Sequence, residues 1–155
     1  MKFLLNNDLK KNQALITIIR FFLFFMLFYL VSSWMVERSQ IGENIEEITQ
    51  NLLGDPELFM DPLSLIQILE FLHLKLFAYM ILIMMNGAIL FQIHINKKWQ
   101  LFLVITPFVL LLLDTFSLLG SSYISSIFII VKMVLMSLLP LFMRLQSVFI
   151  LFKLR

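Results

Sequence analysis

Two charged residues, Asp114 and Lys132, lie deep within apolar stretches, where they could pair or transfer a proton. The connection at residues 120–123 is so short that the two stretches should form an antiparallel helical hairpin. A charge in hydrocarbon costs about 2.5–3.5 kcal/mol on insertion scales, so each needs a partner. Side chains tilt toward the N-terminus of their own helix, which makes these two lean toward each other. We predict an intramembrane ion pair that holds the hairpin; a proton-moving or ligand site and pairing with another subunit are the alternatives.

A second set of polar residues shares one face of the preceding apolar stretch. Lys75, Tyr79 and Asn86 are spaced by four and seven residues, which places them on one side of a helix. Gly87 follows in the middle of the stretch, where an amide prefers a helical neighbour to lipid and a glycine allows close approach. We predict a polar stripe that packs against another helix.

Glu70 and His73 are three residues apart and share a helix face near one end of the same stretch. Such a pair could titrate near neutral pH or contact a haem or quinone. His94 follows about twenty residues later, ~31 Å along a helix, so the two histidines cannot ligate one iron within one chain. We expect a solvated or capping pair and predict no cofactor and no metal; haem or quinone contact at His73 and Glu70 is the alternative.

Several classes of chemistry are excluded or disfavoured by the residues present. The chain has no cysteine, which excludes disulfides, thiolate catalysis and cysteine-ligated metal sites. No nucleophile–base set, phosphate-binding loop or metal-ligand spacing occurs, so no catalytic residue is predicted and we do not expect an enzyme. No basic run is interleaved with aromatic residues, which argues against nucleic-acid binding.

The elements that carry these residues are membrane-spanning helices. The chain is 61% hydrophobic and 14% charged, with a mean hydropathy of +0.95, against roughly 45–50% apolar and about 25% charged in soluble domains. Apolar stretches near the ~20 residues that cross a bilayer predict four transmembrane helices at 14–36, 62–95, 99–119 and 124–143. We predict one all-α integral membrane domain covering 1–155.

The polar segment 37–61 separates the first two spans and contains a short amphipathic helix. Its apolar residues recur at helical spacing: Ile41, Ile45, Ile48 and Leu52. We expect this helix to lie on the membrane surface or on a partner. Asp61 and Pro62 predict the N-cap and first residue of the second span, which is overlong for a bilayer.

Other boundaries follow from turn and breaker residues. Residues 96–98 and 120–123 predict tight turns, and Pro107 predicts a kink in helix three. Helix one follows lysines, as a signal peptide would, but its apolar core exceeds the usual 7–15 residues, so we expect it to be retained. Residues 144–155 predict an interfacial tail.

The charges predict an orientation, because lysine and arginine favour the cytoplasmic side of short loops. The side opposite the 37–61 segment has nine basic residues: Lys2, Lys10, Lys11, Arg20, Lys97, Lys98, Arg144, Lys153 and Arg155. The other side has Arg38 and Lys75 with eight acidic residues. We therefore predict that both termini are cytoplasmic and that the acidic segment is outside.

The sequence favours a small non-catalytic, accessory subunit of a larger inner-membrane complex. The amphipathic helix and the apolar tail would dock on other membrane subunits, and the lipid bilayer is the other expected partner. A redox or proton-handling respiratory component and a small oligomeric transporter or channel are the alternatives. The expected location is the bacterial inner (plasma) membrane, with the mitochondrial inner membrane as the alternative.

Overall fold

A computed structural model describes residues 12–123 and 127–154 and shows an all-α protein. Within those ranges it has five helices: α1 (Gln13–Ile41), α2 (Ile45–Leu53), α3 (Leu65–Gln92), α4 (Lys97–Tyr123) and α5 (Ile127–Lys153). Four of them, α1, α3, α4 and α5, are long and apolar enough to cross a membrane, which makes the chain a multi-pass membrane protein. Lys2, Lys10, Lys11, Arg155 and the expected start of the last span at residue 124 lie outside the described residues.

Side-chain caps decide where three of the helices begin. The Asn12 side chain accepts a hydrogen bond from the Leu15 N–H at 3.2 Å, and α2 starts after Asn44 in the same way. Ser64 forms a capping box with Gln67 at the start of α3. The expectation that Asp61 and Pro62 begin this helix is therefore wrong, because the capping box satisfies the free N–H groups three residues later.

Three spans extend beyond the ends predicted from hydropathy. α1 continues through Glu37 to Ile41, and α4 continues through residues 120–123, where a turn was expected. α5 includes Pro140 and continues to Lys153, so the segment expected to be an interfacial tail is mostly its last turns. The reason is packing, since Met143, Ser147 and Ile150 continue the buried face of α5 at helical spacing.

In the bundle, α5 packs against both α1 and α4, and α3 packs mainly against α4. The buried apolar residues form three clusters along its length. We call the end that includes α2 the α2 end, and the end that includes the α3–α4 connection the opposite end. The α2-end cluster consists of Ile41, Ile48, Leu52, Ile68, Leu72, Leu118 and Ile129.

The amphipathic helix α2 covers this end of the bundle. Ile48 and Leu52 are buried against the other helices, whereas Ile45 stays exposed. We expected this apolar face on the membrane or on a partner, and the structure instead buries it within the chain. Gly54 ends α2 at a φ of 79°, a left-handed conformation that glycine adopts without penalty.

Two helical glycines have different surroundings, which predicts opposite effects of alanine. A methyl group at Gly87 would meet Val104 Cγ1 at 3.5 Å, which is ordinary contact, so the expected close approach is not tight. At Gly120 it would come within 2.7 Å of the Phe128 ring. Gly87→Ala should raise the free energy of unfolding by up to about 1 kcal/mol through helix propensity, and Gly120→Ala should lower it by about 1–3 kcal/mol through overpacking.

Thermal unfolding of both variants in one detergent measures the difference, and each serves as the control for the other. Equal shifts in melting temperature would contradict the packing described for α3 and α4.

Candidate functional site

Four charged side chains meet inside the bundle, and each transmembrane helix contributes one of them. Glu37 comes from α1, Lys75 from α3, Asp114 from α4 and Lys132 from α5. Lys132 Nζ lies 2.8 Å from Asp114 Oδ1 and 2.5 Å from Glu37 Oε1. Lys75 Nζ lies 2.6 Å from Asp114 Oδ2 and 2.6 Å from Glu37 Oε1. We call this arrangement the charge cluster.

The charge cluster is a closed ring in which every cation contacts both anions. Two lysines and two carboxylates sum to zero charge, so the charge cluster has no net charge. Glu37, Lys75, Asp114 and Lys132 are 2%, 7%, 0% and 0% exposed. Each ion therefore depends on its neighbours for solvation, because removal of one partner from a buried pair leaves an uncompensated charge at a cost of about 3–5 kcal/mol.

The charge cluster lies close to the α2 end. Glu37 is four residues before the end of α1, and Lys132 is five residues after the start of α5, which are distances of about 6 and 8 Å along the helices. The α2-end apolar cluster, with Ile48 and Leu52 from α2, lies at this same end of the bundle. α2 is thus placed to keep water from the charges, which strengthens their attraction.

The structure brings Asp114 and Lys132 together, and it adds two partners that sequence reasoning missed. Glu37 was assigned to the outer segment, because the neighbouring charges Glu37 and Arg38 interrupt the apolar stretch. Lys75 was assigned to a packing stripe, although a lysine in an apolar helix also requires a counter-charge. That requirement, applied to Lys75, was the one signal in the sequence for a second carboxylate.

The remaining residues of the predicted polar stripe are also buried. The Tyr79 ring lies 5.7 Å from Lys75 Nζ, and its hydroxyl makes no hydrogen bond of standard geometry in the described chain, although Ser33 of α1 faces it. Asn86 Nδ2 lies 3.4 Å from Gln146 Oε1, and Gln146 Nε2 donates to the Leu103 carbonyl at 3.2 Å. These bonds link α3, α5 and α4, so the stripe does contact neighbouring helices.

Glu70, His73 and His94 are all exposed, and the structure does not bring any of them to the charge cluster. Glu70 and His73 lie on the outward side of α3, and His94 follows the end of that helix. Among residues 12–123 and 127–154, no group of three or more metal-ligating side chains comes together. A haem or quinone at His73 would therefore have to lie outside this bundle.

Arg144 also differs from expectation, since it lies within α5 and not in a tail. Its guanidinium donates to the Leu30 carbonyl of α1 at 3.1 Å and lies 5.7 Å from the Trp34 ring. It therefore cannot be counted among the charges that orient the chain. Arg20 donates to the Leu154 carbonyl at 3.2 Å, which satisfies a free carbonyl beside the end of α5.

A hydrogen-bonded loop at the α2 end presents an aromatic side chain to the outside. Asp55 and Met60 pair through two backbone hydrogen bonds of 2.9 and 3.0 Å, and Gln50 of α2 holds the Asp55 carboxylate at 3.2 Å. At the tip, Phe59 is 95% exposed with a φ of 54°. A left-handed conformation costs a non-glycine residue about 1–2 kcal/mol, so this tip is held at the expense of stability.

A family model described as a transmembrane helical domain, Aq_1264_TM, matches residues 42–155, which is more than half of the chain. The matched region contains Lys75, Asp114 and Lys132, whereas Glu37 precedes it. No curated protein and no solved structure matches the chain. The match supports the transmembrane helical architecture. It gives no role for the charge cluster, which is interpreted below from its geometry.

The closed ring predicts how substitutions combine. Asp114→Asn alone should lower the free energy of unfolding by about 3–5 kcal/mol, because two lysines then share one carboxylate. Asp114→Leu with Lys132→Leu should recover most of this loss, since Glu37 and Lys75 still neutralise each other. Glu37→Leu with Lys75→Leu should be equally stable, since Asp114 and Lys132 still neutralise each other. Glu37→Leu alone should destabilise the protein as much as Asp114→Asn does, which a simple Asp114–Lys132 pair would not predict.

Melting temperature and yield in one mild detergent are the measurements. Double variants as unstable as Asp114→Asn would contradict a ring in which the four charges neutralise one another.

Proposed function

The chain belongs to the Aq_1264_TM family of transmembrane helical domains, and from this premise we propose that it is a small non-catalytic, accessory subunit of a larger inner-membrane complex. The observation that carries the proposal is the exposed Phe59 on the hydrogen-bonded loop between Asp55 and Met60. A strained and fully exposed aromatic residue has no function in the isolated bundle. Strain of this kind is characteristic of binding sites, where a partner compensates for it.

The charge cluster supports a structural and not a catalytic use of the buried ions. Its four charges neutralise one another, and each lysine contacts both carboxylates. In this arrangement they hold four helices in one register. On this proposal the charge cluster fixes the arrangement of the helices, and the outer surface of the subunit makes the functional contacts.

The docking elements differ from those expected. One face of α2 and one face of the last turns of α5 are buried within the chain, so a partner could reach only their exposed residues, among them Ile45 and Phe152. The loop tip is the docking element that we propose, with Leu58 and Phe59 exposed between acidic neighbours Glu57 and Asp61. An apolar tip with an acidic surround fits a protein partner that has an apolar pocket and a basic rim.

A redox or proton-handling component of a respiratory complex that contacts haem or quinone is the alternative, and the charge cluster is the observation that favours it. Four ionisable groups in one hydrogen-bonded network could exchange protons if water reached them. An absorbance spectrum and lipid extraction of the purified complex distinguish the two functions, since a Soret band or stoichiometric quinone would replace the accessory role.

We predict that Phe59→Gly uncouples binding from stability. Glycine relieves the left-handed strain, so the melting temperature should stay the same or rise, whereas loss of an anchoring aromatic should weaken partner association by about 2 kcal/mol or more, roughly thirtyfold. The measurement is quantitative mass spectrometry of proteins that co-purify from membranes of the native host in mild detergent.

Phe77→Ala is the matched control, because Phe77 is also an exposed phenylalanine but lies on the outer face of α3 and not in the loop. Partner recovery should fall with Phe59→Gly and not with Phe77→Ala. A chain that purifies alone, or partners retained by Phe59→Gly, would count against the proposal.

We also propose that both termini are cytoplasmic and the α2 end is outside. Charged residues at the two ends of the bundle support this: Lys97, Lys98 and Lys153 lie at the opposite end, and Asp55, Glu57 and Asp61 lie at the α2 end. The cysteine-free chain permits a direct test with single cysteines. A membrane-impermeant maleimide should label Glu57→Cys in intact bacterial cells and label His94→Cys only after permeabilisation, and the reverse pattern would overturn the orientation.

A further inference from the structure

A cleft of about 570 Å³ lies at the opposite end of the bundle, on the side formed by α4 and α5. Its size is within the ~300–1,000 Å³ typical of ligand sites. The cleft lies beside helices that carry exposed apolar residues, among them Trp99 and Leu145. These helices are long and apolar enough to cross a membrane, so the cleft is close to the hydrocarbon of the bilayer.

The walls of the cleft are apolar and run along two helices. Trp99 and Leu103 are one turn apart on α4, and Phe142, Leu145 and Phe149 follow one another on α5 at spacings of three and four residues. Two antiparallel rows of large side chains form an elongated groove. A linear hydrocarbon chain fits such a groove better than a compact polar ligand does.

One end of the groove is polar and positively charged. His94 and Asn96 line it from the α3–α4 connection, and Lys153 lines it from the last turn of α5. Among residues 12–123 and 127–154, no carboxylate lines the cleft and none forms an ion pair with the Lys153 ammonium, which lies 5.8 Å from the Phe149 ring. α4 begins beside these residues at Lys97, where Asn96 Oδ1 accepts from the Lys98 N–H at 3.0 Å, and it adds the positive end of a helix dipole.

We propose that this cleft is a binding site for one anionic phospholipid. The phosphate lies at Lys153 and Asn96, and one acyl chain lies between the α4 and α5 rows. Charge complementarity selects this occupant, because a basic end with no lining acid, at the level where a span ends, matches an anionic headgroup. The site is independent of the proposed accessory function, since it lies at the end of the bundle away from Phe59.

The cleft contains its own reporter. The chain has two tryptophans, Trp34 and Trp99, so Trp34→Phe leaves Trp99 as the only indole, inside the site. The full-length variant is reconstituted in phosphatidylcholine vesicles with increasing amounts of dibrominated phosphatidylglycerol or dibrominated phosphatidylcholine. Trp99 quenching should show an apparent affinity about fivefold higher for phosphatidylglycerol, the factor expected for one lysine near an anionic headgroup.

Two substitutions distinguish a built site from general attraction. Lys153→Gln should abolish the preference for phosphatidylglycerol. Lys98→Gln is the matched control, because Lys98 is exposed at the same end but does not line the cleft, and it should keep most of the preference. The protein with Trp99→Phe reports from Trp34 on α1, beside Arg38 and Arg144, and its headgroup preference should not change with Lys153→Gln.

Four results would overturn the proposal. Equal quenching by the two brominated lipids would identify ordinary lipid contact. Equal loss of preference in Lys98→Gln and Lys153→Gln would identify diffuse attraction. Relief of quenching by millimolar inorganic phosphate would identify a soluble-anion site without an acyl chain. Absence of quenching by either lipid, together with a dimeric mass in detergent, would identify a second copy of the chain as the occupant.

Discussion

Electroneutrality of the buried ions is the constraint on which the rest of the bundle depends. Glu37, Lys75, Asp114 and Lys132 each lie on a different transmembrane helix, so none can be solvated unless all four helices occupy their places. Such a ring adds little stability over apolar packing, because desolvation offsets most of the attraction. It does oppose misplaced registers strongly, since a shift of one helix leaves a charge unpaired. The cluster therefore specifies the arrangement more than it stabilises it.

The position of this ring explains features that hydropathy does not. α1 extends past its apolar stretch because Glu37 must reach the bundle interior, and α2 folds over the end where the charges lie. The family match covers α2 to α5 with Lys75, Asp114 and Lys132, and without Glu37 these three have a net charge of +1. In this chain the carboxylate on α1 supplies the neutralising charge, so α1 is part of the cluster's electrostatic balance.

The two ends of the bundle have opposite character, which the proposed functions use separately. The α2 end has the acidic loop with the exposed Phe59, and the opposite end has exposed lysines beside an apolar cleft. The charge cluster lies between them and faces neither surface. The buried charges neutralise one another, and the two ends of the bundle present distinct outer surfaces. This arrangement suits the proposed accessory subunit, since each surface is available without a change in the bundle.

The sequence by itself determined the class, the four spans and the need for an intramembrane partner of Asp114, because hydropathy and the cost of a buried charge are local properties of each stretch. It could not identify Glu37 or a second partner for Lys75. Both residues lie where hydropathy weakens, and their burial depends on helices distant in the chain. The same holds for the end of α5 and the covered face of α2. Tertiary packing decided these features, since a charge or helix end is buried only when other helices supply its contacts.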